Sequence, residues 1–214
     1  MKRIPLLALA GVAALLWFAT PAFAHRLNEY LEAATISLAR GRVELRLRLV
    51  AGVAAAPKVL ALVDANGDGV ISDAEQRAYG ERVRRDISLG VDGRDAPLSL
   101  VSSSFLSESE IREGTDDIVL TFDADMPRGD ASGRLTFENQ HQKAIASYLV
   151  NTLVPDDSAI HIIAQDRARD QSTYRLDFAI GNSTLAAGET SAASPEVQQS
   201  LARGDKLALV TTYF

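Results

Sequence analysis

Residues 35–49, TISLARGRVELRLRL, decide the fold of this 214-residue chain. The pair Arg40-Gly41 separates two runs in which every second residue is apolar, namely Ile36 and Leu38 before it and Val43, Leu45, Leu47 and Leu49 after it. A repeat of two places alternate side chains on one face of a strand, so one face is buried and the other meets water. The stretch therefore predicts a β-hairpin with one buried face.

Short runs of the same kind recur along the rest of the chain. They lie at residues 87–91, 98–105, 118–122, 135–137, 147–150, 160–164 and 174–178. Asp92-Gly93 predicts a hairpin between residues 87–91 and 98–105, because these residue types tolerate the positive φ angles of a two-residue turn. Seven to nine such strands in the sequence predict a mainly β fold, either a β-sandwich-like (Ig-like) domain or an open barrel.

One segment breaks the period of two. Residues 64–75, DANGDGVISDAE, match the pattern D-x-[DN]-x-[DN]-G-x₅-E at every specified position. This is the pattern of the calcium loop of the EF-hand family, which the segment resembles. The alternative interpretation is an acidic surface turn that contains glycine.

The residue types in this loop suit a hard cation that takes six to eight oxygen ligands. Gly69 occupies the sixth position, where the chain turns too sharply for a side chain. The predicted calcium ligands are the side chains of Asp64, Asn66 and Asp68, the backbone carbonyl of Val70, Ser72 (directly or through water) and both carboxylate oxygens of Glu75. Ca²⁺ is therefore the expected cofactor.

The flanks of the loop predict helices, which makes residues 57 to about 87 a helical single EF-hand insertion. Pro57 is a favoured first-turn residue, and Ser72-Asp-Ala-Glu75 is a capping box that would begin a helix from about Asp73 to Asp86. Ala74, Ala78, Tyr79, Val83 and Ile87 recur at helical spacing. The sequence contains no second loop of this pattern, so either the β domain supports the loop or two chains pair.

The first 24 residues have the features of a cleavable signal peptide. Lys2 and Arg3 precede an apolar stretch, and Ala22-Phe23-Ala24 is a cleavage signal. Cleavage after Ala24 predicts export to the periplasm, with an uncleaved anchor as the alternative. Residues 25–180 would then form the β domain with its insertion, and residues 181–214 a small, polar linker and a short C-terminal tail.

Composition excludes several classes of function. The net charge is −6. The charged residues of the leader, Lys2 and Arg3, are both basic, so its removal makes the charge more negative. Binding to nucleic acid is therefore not expected. The chain contains no cysteine, which rules out thiolate catalysis and disulfides. It also lacks the nucleophile-elbow, metalloprotease and phosphate-loop motifs, so no catalytic residue is predicted and an enzyme is not expected.

Histidines and a charged segment are the remaining candidates. His25 would become the N-terminus after cleavage, and a terminal amine next to an imidazole chelates copper or nickel. The blander interpretation is that the histidine simply follows the cleavage site. His141 is predicted in a polar surface loop, His161 on the solvent face of a strand, and residues 108–113 in a solvated charged loop.

Two sets of residues carry a resemblance to a known family. The start His25-Arg-Leu-Asn-Glu-Tyr-Leu31 leads into the hairpin and the calcium loop, and Leu135-Thr-Phe-Glu-Asn139 and residues 148–155, YLVNTLVP, come later. Residues 25 to 180 thereby resemble the exported N-terminal region of HupE/UreJ-type membrane proteins, which are thought to move nickel or other transition metals. In those proteins a membrane region follows, so the resemblance implies either a separate membrane partner or a truncated relative.

Two functions are therefore expected as alternatives. The first is a periplasmic calcium-binding protein, in which the ion has a structural or interaction role. The second is an accessory protein that uses His25 to hand nickel or copper to a membrane transporter.

Overall fold

The computed structural model describes residues 28–114, 117–126 and 132–181. The predicted signal peptide, His25 and all but the first residue of the predicted linker and tail lie outside these ranges. Within them the chain forms ten strands, β1 (Tyr30–Ala39), β2 (Arg42–Ala51), β3 (Ile87–Val91), β4 (Arg94–Asp95), β5 (Ser99–Ser104), β6 (Ile118–Asp125), β7 (Ser132–Asn139), β8 (Ala146–Thr152), β9 (Ile160–Arg167) and β10 (Thr173–Ile180). Three helices accompany them, α1 (Ala56–Val63), α2 (Asp73–Asp86) and α3 (Glu108–Glu113).

The predicted hairpin is confirmed as β1 and β2. The strands pair antiparallel from Tyr30 opposite Ala51 to Ala39 opposite Arg42, and Gly41 turns the chain with a φ of 77°. Their apolar residues are buried in alternation along both strands. Because each fully buried leucine is worth roughly 1.5–3 kcal/mol relative to an exposed one, this face specifies the register.

The strands form two five-stranded sheets, so the mainly β prediction is confirmed. The first has the order β5-β6-β2-β1-β8 and the second the order β4-β3-β7-β10-β9. All neighbours are antiparallel except β1 and β8, which run parallel. Buried side chains of both sheets, such as Leu47, Phe122, Leu135 and Leu176, belong to one hydrophobic core.

The Asp92-Gly93 turn is confirmed, but the hairpin is shorter than the sequence suggests. Asp92 and Gly93 have φ angles of 52° and 73°, and only Val91–Arg94 and Gly90–Asp95 pair across the turn. The following residues 99–104 pair with β6 in the other sheet. Pro97 explains the change, because a residue without a backbone N–H cannot continue the ladder.

Helices α1 and α2 flank residues 64–72, as predicted. Ala56, Val59, Leu60 and Val63 form the buried face of α1. Helix α2 begins at the predicted capping box and buries Glu75, Tyr79, Gly80 and Val83. The prediction that Ala74 and Ala78 share this face is wrong, since both are exposed; the larger Tyr79 and Val83 decide which side packs.

Residues 108–113 form helix α3 rather than the predicted charged loop. Ser107 and Glu110 make a complete capping box, and Gly114 ends the helix with a φ of 63°. Ile111 is buried beneath the helix. The start signal is the same kind of capping box that begins α2, and the glycine is a common stop signal. None of the helices in the described ranges is long and apolar enough to span a membrane.

Candidate metal centre

The loop between α1 and α2 is closed by its own hydrogen bonds. Asp64 accepts hydrogen bonds from the backbone N–H groups of Gly67 at 2.8 Å and Gly69 at 3.0 Å. Asn66 accepts from the N–H of Asp68 and donates its amide to the Asp68 carboxylate, each at 2.9 Å. Gly67 and Gly69 have φ angles of 71° and 80°, which residues with a side chain rarely adopt. The glycines thus let the chain curl around its acidic side chains.

Glu75 connects the start of α2 to the start of the loop. One of its oxygens accepts from the N–H groups of Ala65 at 3.0 Å and Asn66 at 3.3 Å. The other accepts from the N–H of Ser72 at 2.9 Å and from its hydroxyl at 2.7 Å. The hydrogen bonds from Ser72, followed by those from Asn66 and Ala65, hold the pKa of Glu75 below its ordinary value. The carboxylate is therefore ionised at neutral pH.

Side chains from other elements of the same chain hold the loop in place. Ile71 packs against the hydrophobic core, and helix α3 lies against α1. Glu108 of α3 forms an ion pair with Arg112, and one of its oxygens is 3.1 Å from where a Cβ of residue 69 would be. The φ angle therefore favours glycine at position 69, and a Cβ there would need the Glu108 side chain to move by a few tenths of an ångström. Elements of the same chain therefore cover this side of the loop.

The oxygen atoms of this loop are of the types that bind calcium, but they are arranged as acceptors of hydrogen bonds within the loop. Asp64, Asp68 and Glu75 offer carboxylates, and Asn66 and Ser72 offer neutral oxygens, the ligand types that a hard cation prefers. Yet in the described ranges no three His, Asp or Glu side chains converge closely enough to hold a metal ion. Val70 is exposed by 67 %. To bind an ion, Glu75 and the aspartates must exchange backbone donors for the cation.

The three histidines differ in their surroundings. His25 lies outside the described residues, so its role in binding a transition metal stays a prediction. His161 is exposed on β9, as expected. The prediction for His141 is wrong, because its side chain is fully buried instead of lying in a surface loop. Its local sequence is polar, but α2 covers it.

Both ring nitrogens of His141 are occupied by residues of helix α2. Nδ1 lies 2.7 Å from a carboxylate oxygen of Asp86, and Nε2 lies 3.0 Å from the Tyr79 hydroxyl. The Tyr79 hydroxyl is in turn 2.7 Å from that of Tyr30. Burial lowers the pKa of His141, although Asp86 opposes the shift. The ring is therefore neutral at neutral pH.

Glu32 completes this group, which we call the interior polar cluster: Tyr30, Glu32, Tyr79, Asp86, Asn139 and His141. All of these residues are buried except Asp86, which is half-exposed. Glu32 is fully buried and accepts a hydrogen bond from the Asn139 amide at 2.8 Å. The sequence did contain a signal for it. Glu32 is in phase with the buried residues Ala34 and Ile36 of β1, a position where a carboxyl group is not expected.

Comparison with known proteins gives no information on the function of this site. No protein-family model matches the chain, and no curated protein matches it in sequence.

Proposed function

We propose that this chain is a periplasmic calcium-binding protein in which residues 64–75 hold one Ca²⁺ ion. The loop is proposed as a single EF-hand inserted into a β-sandwich-like (Ig-like) domain, with the ion in a structural or interaction role. The observation that carries the proposal is the loop itself. Oxygen side chains stand at positions 1, 3, 5, 9 and 12, two glycines have positive φ, and helices lie on both sides.

The arrangement of Glu75 supports a reversible site. Its four hydrogen bonds come from groups within the loop and the helix cap, so the carboxylate is already ionised and lies beside the other donors. A cation that replaces the Ala65 and Asn66 donors would gain one carboxylate oxygen of Glu75, and it would gain the second by also displacing the Ser72 hydrogen bonds. An exchange of this kind costs hydrogen bonds, which favours a weak site with a dissociation constant of order 10⁻⁴–10⁻³ M.

Calorimetric titration of metal-stripped protein with Ca²⁺ tests the proposal. We expect one ion per chain in the wild type and a large loss of affinity in Glu75→Gln. Glutamine can still accept the Ser72 hydrogen bonds, so the capping box survives while the anionic ligand is lost. The matched control is Glu110→Gln, which makes the same change in the capping box of α3. No heat of calcium binding in the wild type, or equal affinities in both variants, would overturn the proposal.

The location of the protein is a separate proposal that rests on the leader sequence. Residues 1–24 would be removed on export, as the resemblance to the exported region of HupE/UreJ-type proteins implies. N-terminal sequencing of protein recovered from a periplasmic extract should begin at His25. Protein that starts at Met1 and is found only in the cytoplasm would contradict export.

A further inference from the structure

The interior polar cluster ties helix α2 to both sheets through one directed chain of hydrogen bonds. A carboxylate can only accept, so Nδ1 of the neutral His141 ring donates to Asp86. Nε2 then has no proton and accepts from the Tyr79 hydroxyl. Since Tyr79 has used its proton, it accepts in turn from Tyr30. Every hydroxyl and ring nitrogen in this chain is therefore satisfied.

The segment after β7 is fixed from the other side. The backbone N–H of His141 donates to the Asn139 side chain at 2.9 Å, and the Tyr148 hydroxyl donates to the His141 carbonyl at 2.7 Å. The Asn139 amide nitrogen then donates to Glu32. Asn139 thus joins the histidine to Glu32, the one carboxyl group that is fully buried among the residues that the structure describes.

Glu32 is the incompletely satisfied member of the cluster. Its second carboxyl oxygen, Oε1, is buried and has no hydrogen-bond partner among the described residues. An ionised carboxylate has several acceptor positions to fill, and leaving them empty in a buried site is costly. A protonated carboxyl group carries no charge and tolerates such a site far better.

The charged and titratable neighbours do little to favour an anion at this position. Asp86 of α2 has the same sign as Glu32 and raises its pKa. Arg82 of the same helix acts on Tyr79 and His141 rather than on Glu32. The groups that interact with Glu32 are Tyr30 on β1, Tyr79 and Asp86 on α2, Asn139 at the end of β7, and Tyr148 on β8. Arg82, His141 and Asp170 interact with these neighbours.

We propose that Glu32 is the proton-binding residue of a pH-sensitive joint between helix α2 and the two sheets. With its proton bound, the cluster holds α2 against β1 and the segment after β7. When the proton leaves, a buried negative charge faces Asp86, and the contact between helix and sheets loosens. This inference does not depend on calcium, because none of the cluster residues belongs to the loop.

Glu32 should gain and lose its proton at a mildly alkaline pH. Burial, reinforced by Asp86 and only partly offset by the Asn139 hydrogen bond, raises the pKa of Glu32 to about 8. Its charge also bears on the tyrosines, and the pKa of Tyr148 is raised to about 12, mainly by burial. The joint is thus closed at neutral pH and opens in mildly alkaline solution.

NMR titration of the isotope-labelled wild-type protein between pH 5 and 10 tests the joint. The Glu32 carboxyl carbon should titrate with a midpoint near pH 8, and the ring nitrogens of His141 should shift with the same midpoint. Burial lowers the pKa of His141 itself, so a step near pH 8 in its signals reports its neighbour. A Glu32 midpoint between 4 and 5, or His141 signals that do not change near pH 8, would overturn the proposal.

Two variants separate Glu32 from the other acids. Glu32→Gln should abolish the step in the His141 signals, because glutamine has no proton to lose in this range. Glu138→Gln, an exposed change on β7 one residue before Asn139, should leave the step intact. Persistence of the step in Glu32→Gln would assign it to another group and overturn the proposal. The wild-type titration decides the question by itself should Glu32→Gln fail to fold.

Discussion

The two ends of helix α2 hold glutamates in opposite conditions. At its first turn, Glu75 accepts four hydrogen bonds, and its pKa is lowered. Near its last turn, Glu32 of β1 accepts one hydrogen bond in a fully buried position, and its pKa is raised to about 8. Hydrogen-bond donors favour the anion, whereas burial without them favours the neutral acid. The first end is suited to a cation and the second to a proton.

The largest effect is expected from removing the histidine at the buried end. His141→Ala would leave Asp86 and Tyr79 without their shared partner and create a cavity in the interior. We expect a loss of about 3 kcal/mol in the free energy of unfolding, measured by urea denaturation. The matched control is His161→Ala on exposed β9, with an expected change within about 0.5 kcal/mol. Similar losses in both variants would contradict a specific contribution of the interior polar cluster to stability.

Calcium should stabilise the protein from the other end of the helix. At a concentration one hundred times its dissociation constant, an ion that binds only the folded state adds about 2.7 kcal/mol to the free energy of unfolding. We expect this gain in the wild type and in Glu110→Gln, and its absence in Glu75→Gln. Thermal melting with and without Ca²⁺ measures it. Coincident melting curves for the wild type would refute a structural role for the ion.

The pH dependence of stability should report Glu32 alone over a narrow window. Because its folded pKa is about 8 and its ordinary value 4.5, the folded chain binds the proton more tightly than the unfolded chain. Stability therefore falls as pH rises from 4.5 and levels off above 8. The lowered pKa of His141 has the opposite effect, since it makes stability rise with pH up to about 6.5.

Of these two residues, Glu32 alone changes the stability between pH 6.5 and 8. At 1.36 kcal/mol per unit, the wild type should lose about 2 kcal/mol of unfolding free energy over this window. Urea denaturation at several pH values measures the slope. Glu32→Gln should be nearly flat, and Glu138→Gln should follow the wild type. Parallel slopes in all three proteins would assign the pH dependence to other groups.

The sequence predicts much of the sheet and the first end of α2, because both depend on local patterns. The alternation in residues 43–49 is enough to bury one face of β2, and Ser72 and Glu75 are only three residues apart. The buried end depends on contacts between distant residues. His141 meets Asp86 across 55 positions and Tyr79 across 62, and its neighbours Gln140 and Gln142 are polar. A local reading therefore places it in solvent.

The same reasoning explains the misplaced strand β5. Its sequence alternates weakly, and the turn at Asp92-Gly93 made it the obvious partner of β3. The structure pairs only two residues across that turn before Pro97, and β5 then joins β6. Leu98 is buried, and Leu100 is partly buried against the core beside Gly80 of α2. The segment thus places its apolar side chains on the core in the other sheet rather than following the nearest turn.

The middle of α2 provides the smallest effect and a check that its two ends are independent. A Cβ at Gly80 would lie 2.6 Å from Cδ2 of Leu100 on β5, so alanine there forces that side chain to move. Glycine costs a helix interior about 1 kcal/mol relative to alanine, and a displaced leucine rotamer costs a similar amount. We expect the unfolding free energy of Gly80→Ala to lie within about 1 kcal/mol of the wild type.

Shortening the Leu100 side chain should reveal the gain in helix stability from Gly80→Ala, which the clash with Leu100 otherwise offsets. In a Leu100→Ala background the clash is absent, so Gly80→Ala should raise the unfolding free energy by about 1 kcal/mol. The stabilisation by calcium and the dependence of stability on pH should both be unchanged, because the substitutions at Gly80 and Leu100 alter neither the hydrogen bonds of Glu75 nor the surroundings of Glu32. A loss of more than about 2 kcal/mol in Gly80→Ala alone would mean that β5 holds the helix rigidly. Changes at one end of α2 would then be transmitted to the other.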